Sequence, residues 1–287
     1  MLPRIIRTLL AIVAIAIFGG FACATLVRFA PGFDTDQQQL DPRLSPESLQ
    51  ALHESHRSEK NLLQFYSTYL KRALSGDLGV SRSLNQPVAS LLRDRLPITL
   101  RLIVNGLALG WAFALGFAFS TAFPRVRPYS FLGVALSGVF LCIPAAVLAL
   151  LSVLMDTPAY LAVALIVFPK VFTYSRNLLA KAFTSPHIIT ARAKGLGALR
   201  ILFWHVVPVV APSLLALAGV SVSIALGAAI PIEALCGLAG VGSLAWHAAL
   251  ARDLPLLVNI TVFVTVLTLL ANAGADVLSH AMRGKQA

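Results

Sequence analysis

Apolar positions run in six long stretches along the chain: Ile5–Val27, Ile98–Phe123, Phe131–Met155, Ala159–Tyr174, Val209–Ile230 and Leu254–Val277. A helix of about 18 or more apolar residues crosses the hydrocarbon core of a bilayer with every backbone group bonded inside the segment. The pattern therefore predicts an all-α membrane protein with six transmembrane helices. The fourth stretch is the weakest, because Pro169-Lys170 interrupts it and leaves a span that tilts, breaks or snorkels its lysine towards an interface.

The polar intervals are unequal. A long one, 30–96, follows the first stretch and opens with the polar residues Asp34 to Asp41. Its pattern predicts one helix starting at Ser45-Pro46-Glu47 and a second with Leu62, Phe65, Tyr66, Tyr69 and Ala73 on one face, stopped by Gly76. After Gly76-Asp-Leu-Gly79 comes an amphipathic piece, Val88 to Arg95, and Pro97 is expected to open the second span. The organisation read from this is an anchor helix, 1–29, a helical loop, 30–96, and a membrane core, 97–287.

Charge orients the bundle. Six spans put both ends on one side, together with Arg4, Arg7, Arg125, Arg127, Arg176, Lys181, Arg192, Lys194, Arg200, Arg283 and Lys285, and none of the 12 acidic residues falls in those loops. Short loops rich in Lys and Arg mark the cytoplasmic face, so both termini are expected inside and the large loop outside. The net charge of +11 is thereby explained by topology and not by nucleic acid. The basic start, apolar core and Ala22-Cys-Ala24 also resemble a cleavable signal peptide. A retained anchor is favoured, since its removal would leave five spans and strand the basic loops on the wrong side.

Side-chain chemistry excludes more than it assigns. Cys23, Cys142 and Cys236 have no metal-ligand or redox spacing, and no HExxH, GxSxG or GxxxxGK[ST] pattern occurs. His53, His56, His187, His205, His247 and His280 are dispersed, so no metal site and no catalytic residue is assigned. The expected protein is not an enzyme and binds no cofactor of its own. Lys170, Arg101 and Asp276 are read as lying towards span ends, and the missing chain of intramembrane carboxylates argues against a proton-driven pump. Gly106, Gly110, Ala114 and Ala118 recur every four residues, as do Gly219, Ser223 and Gly227, a spacing that permits close helix packing inside one bundle or across a dimer.

One polar segment is distinctive. In Ser185-Pro-His-Ile-Ile-Thr-Ala-Arg-Ala-Lys-Gly195, Ser185 suits the N-cap, Pro186 the first helical position, Lys194 the last turn and Gly195 the left-handed position beyond it. A short basic helix between two apolar spans, with no obvious packing surface in its own chain, implies a docking partner.

Thr190-Ala-Arg-Ala-Lys-Gly-Leu196 followed by His205 is similar to the cytoplasmic EAA loop of membrane subunits of binding-protein-dependent ABC importers. The chain resembles their dipeptide/oligopeptide/nickel permease family, also through Arg28-Phe-Ala-Pro-Gly32, Gly76-Asp-Leu-Gly79 with Ser81, Pro87-Val88, Arg95-Leu-Pro-Ile-Thr-Leu100, Glu233, Gly237-Leu-Ala-Gly-Val-Gly242 and Ala251-Arg-Asp-Leu-Pro255. The resemblance implies a channel-forming subunit in the bacterial cytoplasmic (inner) membrane. Its implied partners are a second, similar permease subunit, two cytoplasmic ATPases that hold ATP and Mg, and an extracytoplasmic solute-binding protein. It also implies a coupling loop over 176–207. There Ile188 and Ile189 supply apolar contact, Ala191, Ala193 and Gly195 permit close approach, and Thr190, Arg192, Lys194 and His205 complete the ATPase-coupling set. Glu233, Gly240, Gly242 and Asp253 are placed at an outer gate or periplasmic loop, with helix capping an equal alternative for Asp253.

Three features depart from the family pattern: Ile189 stands where the wider consensus has a glutamate, the link Asp156-Thr-Pro158 is short, and Cys236 to Ala239 replaces Phe-Gly-Leu-Pro. Peptide is the expected solute, with nickel or another small solute open. So are a degenerate permease acting as a membrane scaffold and a secondary transporter without ATPases.

Overall fold

The computed structural model describes residues 2–29, 62–120 and 127–283. The expected helix from Ser45, the Asp34–Asp41 stretch, Ala30 to Gly32, His53, His56, Arg125 and Lys285 lie outside the described residues. Helix α1 is Leu2–Phe29, α2 Leu62–Leu74, α3 Val88–Ser120, α4 Arg127–Cys142, α5 Ala145–Leu154 and α6 Tyr160–Phe183. These are followed by α7, Pro186–Ala193, a single turn α8, Ala198–Ile201, a π-helical turn Leu202–Val206, α9, Val207–Leu235, α10, Val241–Leu250, and α11, Leu254–Arg283. Among the described residues the only β feature is an isolated bridge between Val80 and Pro87.

Four segments are long and apolar enough to cross a membrane: Leu10–Val27, Val88–Ser120, Ala198–Leu235 and Leu254–Met282. A fifth exists if α4 and α5 count as one span, but they are bent by 100° at their junction. The expected continuous span Phe131–Met155 is therefore broken. Pro144, at φ −61° and ψ 147°, is the cause. It cannot donate an N–H, and its ring pushes Ile143 away from helical geometry. Helix α6 has 24 residues but fails the same test, because Lys170, Arg176 and Lys181 occupy its second half. Pro169 does not break it; Pro169 is buried inside a continuous helix.

Pro97 likewise does not start a helix. It lies inside α3, which begins at Val88. The carbonyl it leaves without a partner belongs to Arg93, and both residues are exposed, so the lost bond carries little desolvation cost.

The chain divides into two compact units, residues 1–95 with 244–266 and residues 96–243 with 267–287. In the first, Ala24, Tyr66, Leu254 and Val258 form a buried cluster with Phe21, Tyr69 and Val262 around it. Gly20 makes room for Tyr66 and Val262, each 2.7 Å from where a Cβ would stand. The Tyr66 hydroxyl donates to the Ile17 carbonyl, and its ring meets Phe21 edge-on at 5.5 Å. The Tyr69 hydroxyl donates to Asn259 Oδ1 at 3.2 Å, and burial, then the neighbouring Tyr66, pushes its pKa up to about 12. Asn259 in turn donates through Nδ2 to the Leu78 carbonyl at 2.9 Å, which ties the segment after α2 to α11.

The second unit is organised around α6. Val163, Val167, Phe168, Val171, Phe172 and Leu179 are buried in it, and Phe168 and Phe172 stack at 5.7 Å with Phe117 and Phe140 edge-on to them. The small residues of α3 serve this packing. A Cβ on Gly106 would stand 2.5 Å from Val163 Cβ, and one on Gly110 2.9 Å from the Ala164 carbonyl oxygen. Gly219 meets Asn272 and Ala275 of α11 in the same way, and Asn272 donates to Ser223 Oγ at 2.9 Å. Gly227 has nothing within 4 Å. Apart from Gly227, the four-residue spacing thus packs one chain.

Candidate functional site

The segment after α6 folds as its sequence predicts in backbone, with one change in side-chain use. Ser185 takes the extended N-cap conformation and Pro186 the first position of α7. The Ser185 hydroxyl, however, turns back to the Ala182 carbonyl at the end of α6 and caps nothing in α7. At the other end Gly195 adopts φ +75°, the Gly195 N–H reaches the Arg192 carbonyl at 2.9 Å, and the Leu196 N–H reaches Ala191 at 3.3 Å. This pair of bonds is the Schellman arrangement, in which a left-handed residue just past the helix satisfies carbonyls of the last turn.

Helix α7 does pack against its own chain, contrary to the expectation from sequence. Ile188 is 0% exposed and Ala191 5%, in one cluster with Leu179, Ala182, Ile201 and Leu202. Residues three apart share a helix face, so these two turn inward together. The other face carries His187, Ile189, Thr190, Arg192, Ala193 and Lys194, all exposed, with Ile189 at 60%. Of the candidate coupling residues, then, Ile188 and Ala191 hold the helix in place, and the rest are displayed. The Arg192 guanidinium lies 5.6 Å over the Phe183 ring, which fixes its stem against α6.

His205 sits in the π-helical turn, half-buried, with its Nδ1 buried and without a hydrogen bond among the described residues. It is not on α7. The exposed neighbours Leu199 at 62%, Phe203 at 56% and Trp204 at 77% went unassigned in the sequence reading, although an aromatic pair beside a basic loop is a recognisable interface signal.

At the far end of α9 the structure brings Glu233, Gly240 and Gly242 together. Glu233 is fully buried, and its Oε2 accepts the Gly242 N–H at 2.7 Å and the Ser243 N–H at 3.1 Å. Thr99 Oγ1 accepts the Val241 N–H at 2.8 Å. Three donors of the first turn of α10 are thus satisfied by side chains from α3 and α9, and the carboxylate also matches the positive end of the helix. The glycines are spatial necessities: a Cβ on Gly240 would stand 2.2 Å from Glu233 Oε2, and one on Gly242 2.8 Å from the Ile230 Cα.

Asp253 belongs to a different cluster, in the other unit. It is 1% exposed and precedes α11. Its Oδ1 accepts the Leu256 N–H at 3.1 Å, an N-cap. Its Oδ2 accepts from Ser81 Oγ at 2.6 Å, Ser83 Oγ at 2.8 Å and Ser83 N–H at 3.0 Å. The residue caps a helix and clamps a loop at once. Neither serine nor Thr99 received a role from sequence, though Ser81 and Thr99 stand in the motifs quoted above.

No group of three or more metal-ligating side chains exists among the described residues. The three cysteines are free thiols. What the arrangement offers is mechanical: a short basic helix held by one face, and a helix hub at the other end of α9.

Residues 114–284 match the family described as binding-protein-dependent transport system inner membrane component. The chain is 29% identical over 278 residues to the oligopeptide transport system permease protein OppB of Haemophilus influenzae, covering 88% of this chain and 89% of that protein. It is 25% identical over 265 residues to the dipeptide transport system permease protein DppB of Lactococcus lactis, covering 83% and 85%. Among solved structures, a chain of the inward-facing MetNI methionine ABC transporter has a similar fold, with a TM-score of 0.59 at 18% identity over 68% of this chain and 97% of that one.

Proposed function

The chain belongs to the family of inner membrane components of binding-protein-dependent transport systems, and from that membership we propose that it forms the membrane channel of an ATP-driven importer for di- and oligopeptides. The observation that carries the proposal is the displayed face of α7: a basic helix fixed by Ile188 and Ala191, with Ile189, Arg192 and Lys194 turned outward, inside the matched region. The peptide assignment is supported by the names of the oligopeptide and dipeptide permeases to which most of the chain is similar.

In this reading the chain spans the bacterial cytoplasmic membrane six times, with α4 and α5 together as the third span and α6 as the fourth, both termini and α7 in the cytoplasm, and the loop 30–96 outside. Two ATPases carrying ATP and Mg engage α7 through Ile189, Thr190, Arg192, Ala193, Lys194 and Gly195. A second permease subunit completes the channel, and a solute-binding protein delivers the solute at the outer face. Closure of the nucleotide sites pulls on α7. Because Ile188 and Ala191 join it to the cluster that includes Leu179, Ile201 and Leu202, the pull is passed to α6 and, through α8 and the π-helical turn, to α9, which is how a displacement at the ATPase would switch the bundle between two states. Glu233 keeps α10 attached to α9 during that movement.

The test is purification of the tagged chain from its native membrane, followed by peptide uptake in cells carrying Gly195→Glu. Recovery of two ATPase subunits and a second permease is expected, together with loss of uptake in the variant. Recovery of the chain alone, or undiminished uptake, would overturn the proposal.

A further inference from the structure

The segment that joins α7 to α9 leaves one side uncovered. In α8 and the π-helical turn, Ile201, Leu202 and Val206 are buried, whereas Leu199, Arg200, Phe203 and Trp204 are exposed. The exposed residues form two pairs four positions apart, so they make one strip along the turn. Pro208 and Val209 carry the exposure into α9, where Val220 and Gly227 lie on the face of Val209, about three and five turns farther on. The strip is unlike the displayed face of α7, which is polar and basic apart from Ile189 and Ala193. Its large side chains are a leucine, a phenylalanine and a tryptophan, and a contiguous apolar patch of this kind calls for a cover other than water.

Position decides what the cover is. Ala198–Leu235 is one of the segments long and apolar enough to cross a membrane. From Trp204 to Leu235, where α9 ends, the helical rise is about 46 Å, or about 43 Å across the membrane at the usual tilt of about 20°. A bilayer with its headgroups is about 40–45 Å thick. With Leu235 at one headgroup boundary, Trp204 therefore stands at the other, the level at which tryptophan rings are enriched. Arg200 lies one turn farther towards water. No carboxylate occurs between Asp156 and Glu233, so this end of the span and the neighbouring Arg192 and Lys194 carry charge of one sign.

We propose that Leu199, Arg200, Phe203 and Trp204 form an interfacial foot. The leucine and the rings lie among the glycerol and upper acyl groups of the lipid on the cytoplasmic side, and the Arg200 guanidinium donates to the phosphate of an anionic phospholipid. The occupant is lipid because the strip runs into the outward apolar face of a membrane span and because its charge complements an anionic headgroup. The foot also sets the height of α7 at the membrane, since Ile201 and Leu202, on the buried side of the same segment, share the cluster that holds Ile188 and Ala191. The inference rests on the proposed function for naming the cytoplasmic side, and not on the ATPases.

The experiment uses the assembled complex in nanodiscs of phosphatidylcholine and phosphatidylglycerol in equal parts, in which one lipid at a time carries bromines at acyl carbons 6,7 or 11,12. The emission difference between the natural chain and Trp204→Phe isolates Trp204 while Trp111 and Trp246 stay in place. Trp204 is expected to be quenched at least about twofold more by the 6,7 than by the 11,12 bromines, and at least about twofold more by brominated phosphatidylglycerol than by brominated phosphatidylcholine. Arg200→Gln should abolish the second preference and keep the first. Quenching by aqueous acrylamide with none by either brominated lipid would overturn the proposal. Equal quenching by the two lipids, or a preference that survives Arg200→Gln, would do the same. So would lipid quenching that appears only after the other subunits are stripped away, since a protein would then be the cover. ATP hydrolysis by the same preparation scores the importer reading separately: lipid contact without hydrolysis would sink that reading and leave the foot standing.

Discussion

Replacing Asp253 by asparagine isolates what a single buried carboxylate does for the loop outside α3. Its two oxygens accept four hydrogen bonds, three from Ser81 and Ser83 and one from the Leu256 N–H. An asparagine has one acceptor oxygen. Turned towards the loop, that oxygen keeps three bonds, but the amide nitrogen then faces the Leu256 N–H donor to donor. Turned the other way, the serine hydroxyls can rotate to accept, whereas the Ser83 N–H cannot. Either orientation leaves one backbone N–H unpaired, at about 1–3 kcal/mol, and weakens the surviving bonds by removing their charge assistance. A total of about 3 kcal/mol is expected, which is roughly a hundredfold rise in the open population of the loop. Arg82 lies between the two serines, so limited trypsin cleavage after Arg82 reads that opening directly when reclosing outpaces cleavage. Ser83→Ala, which removes a hydroxyl bond and keeps the N–H bond, should raise the same rate only about tenfold. A change of less than about threefold in Asp253→Asn, or a larger effect from Ser83→Ala, would refute the clamp.

Gly240→Ala drives a methyl group into the buried Glu233 carboxylate and should sever its bonds to α10, costing about 3 kcal/mol and lowering the apparent melting temperature of the solubilised protein; an unchanged value would show that Glu233 relocates freely. Gly110→Val overpacks α3 against the Ala164 backbone and is expected to cost about 3 kcal/mol or more in the same measurement, against no effect from Gly116→Val, whose surroundings are open. Gly195→Ala meets no atoms within 4 Å, so its cost is the left-handed backbone alone, about 1 kcal/mol, and peptide uptake should fall less than in Gly195→Glu; equal loss would place the defect in folding and not in docking. Tyr69 is raised from 10.0 to about 12 in the folded protein. Its neutral form is therefore favoured by folding. The contribution is complete below the unfolded pKa near 10 and is lost as pH rises through about 12, which tyrosinate absorbance and trypsin cleavage after Lys71 and Arg72 should follow together, and which Tyr69→Phe should remove.

Sequence reasoning worked where a local rule decides. Gly76 and Gly195 stop α2 and α7 because both sit at φ near +80°, where a side chain is strained. The same ending occurs at Asp156 and Arg252, with φ of 50° and 54°, and neither residue type announces it. Proline positions were legible, but their consequences were not. Pro144 breaks a span, whereas Pro97 and Pro169 are carried inside helices, a difference set by the packing on either side and invisible in the dipeptide itself. In the coupling segment the residue types pointed to docking, yet the division between Ile188, buried, and Ile189, exposed, required the cluster beneath them.

The apolar runs determined by themselves that this is a helical membrane protein, because the bilayer imposes a length of apolar helix that most of these segments supply on their own. The motif around Thr190 to Gly195 likewise marked out a short basic helix ended by Gly195 from local chemistry. The N-cap role of Asp253 was one of two readings open from sequence, but only the tertiary structure decided that the same carboxylate also clamps Ser81 and Ser83, 172 and 170 residues away, and that Glu233 folds back onto the first turn of α10. It also decided which face of α6 is left polar and open. Helix rotation is a property of the packed bundle: Lys170 is one cation among many in the sequence, and becomes the head of an exposed polar row only when Phe168 and Phe172 take the inward side.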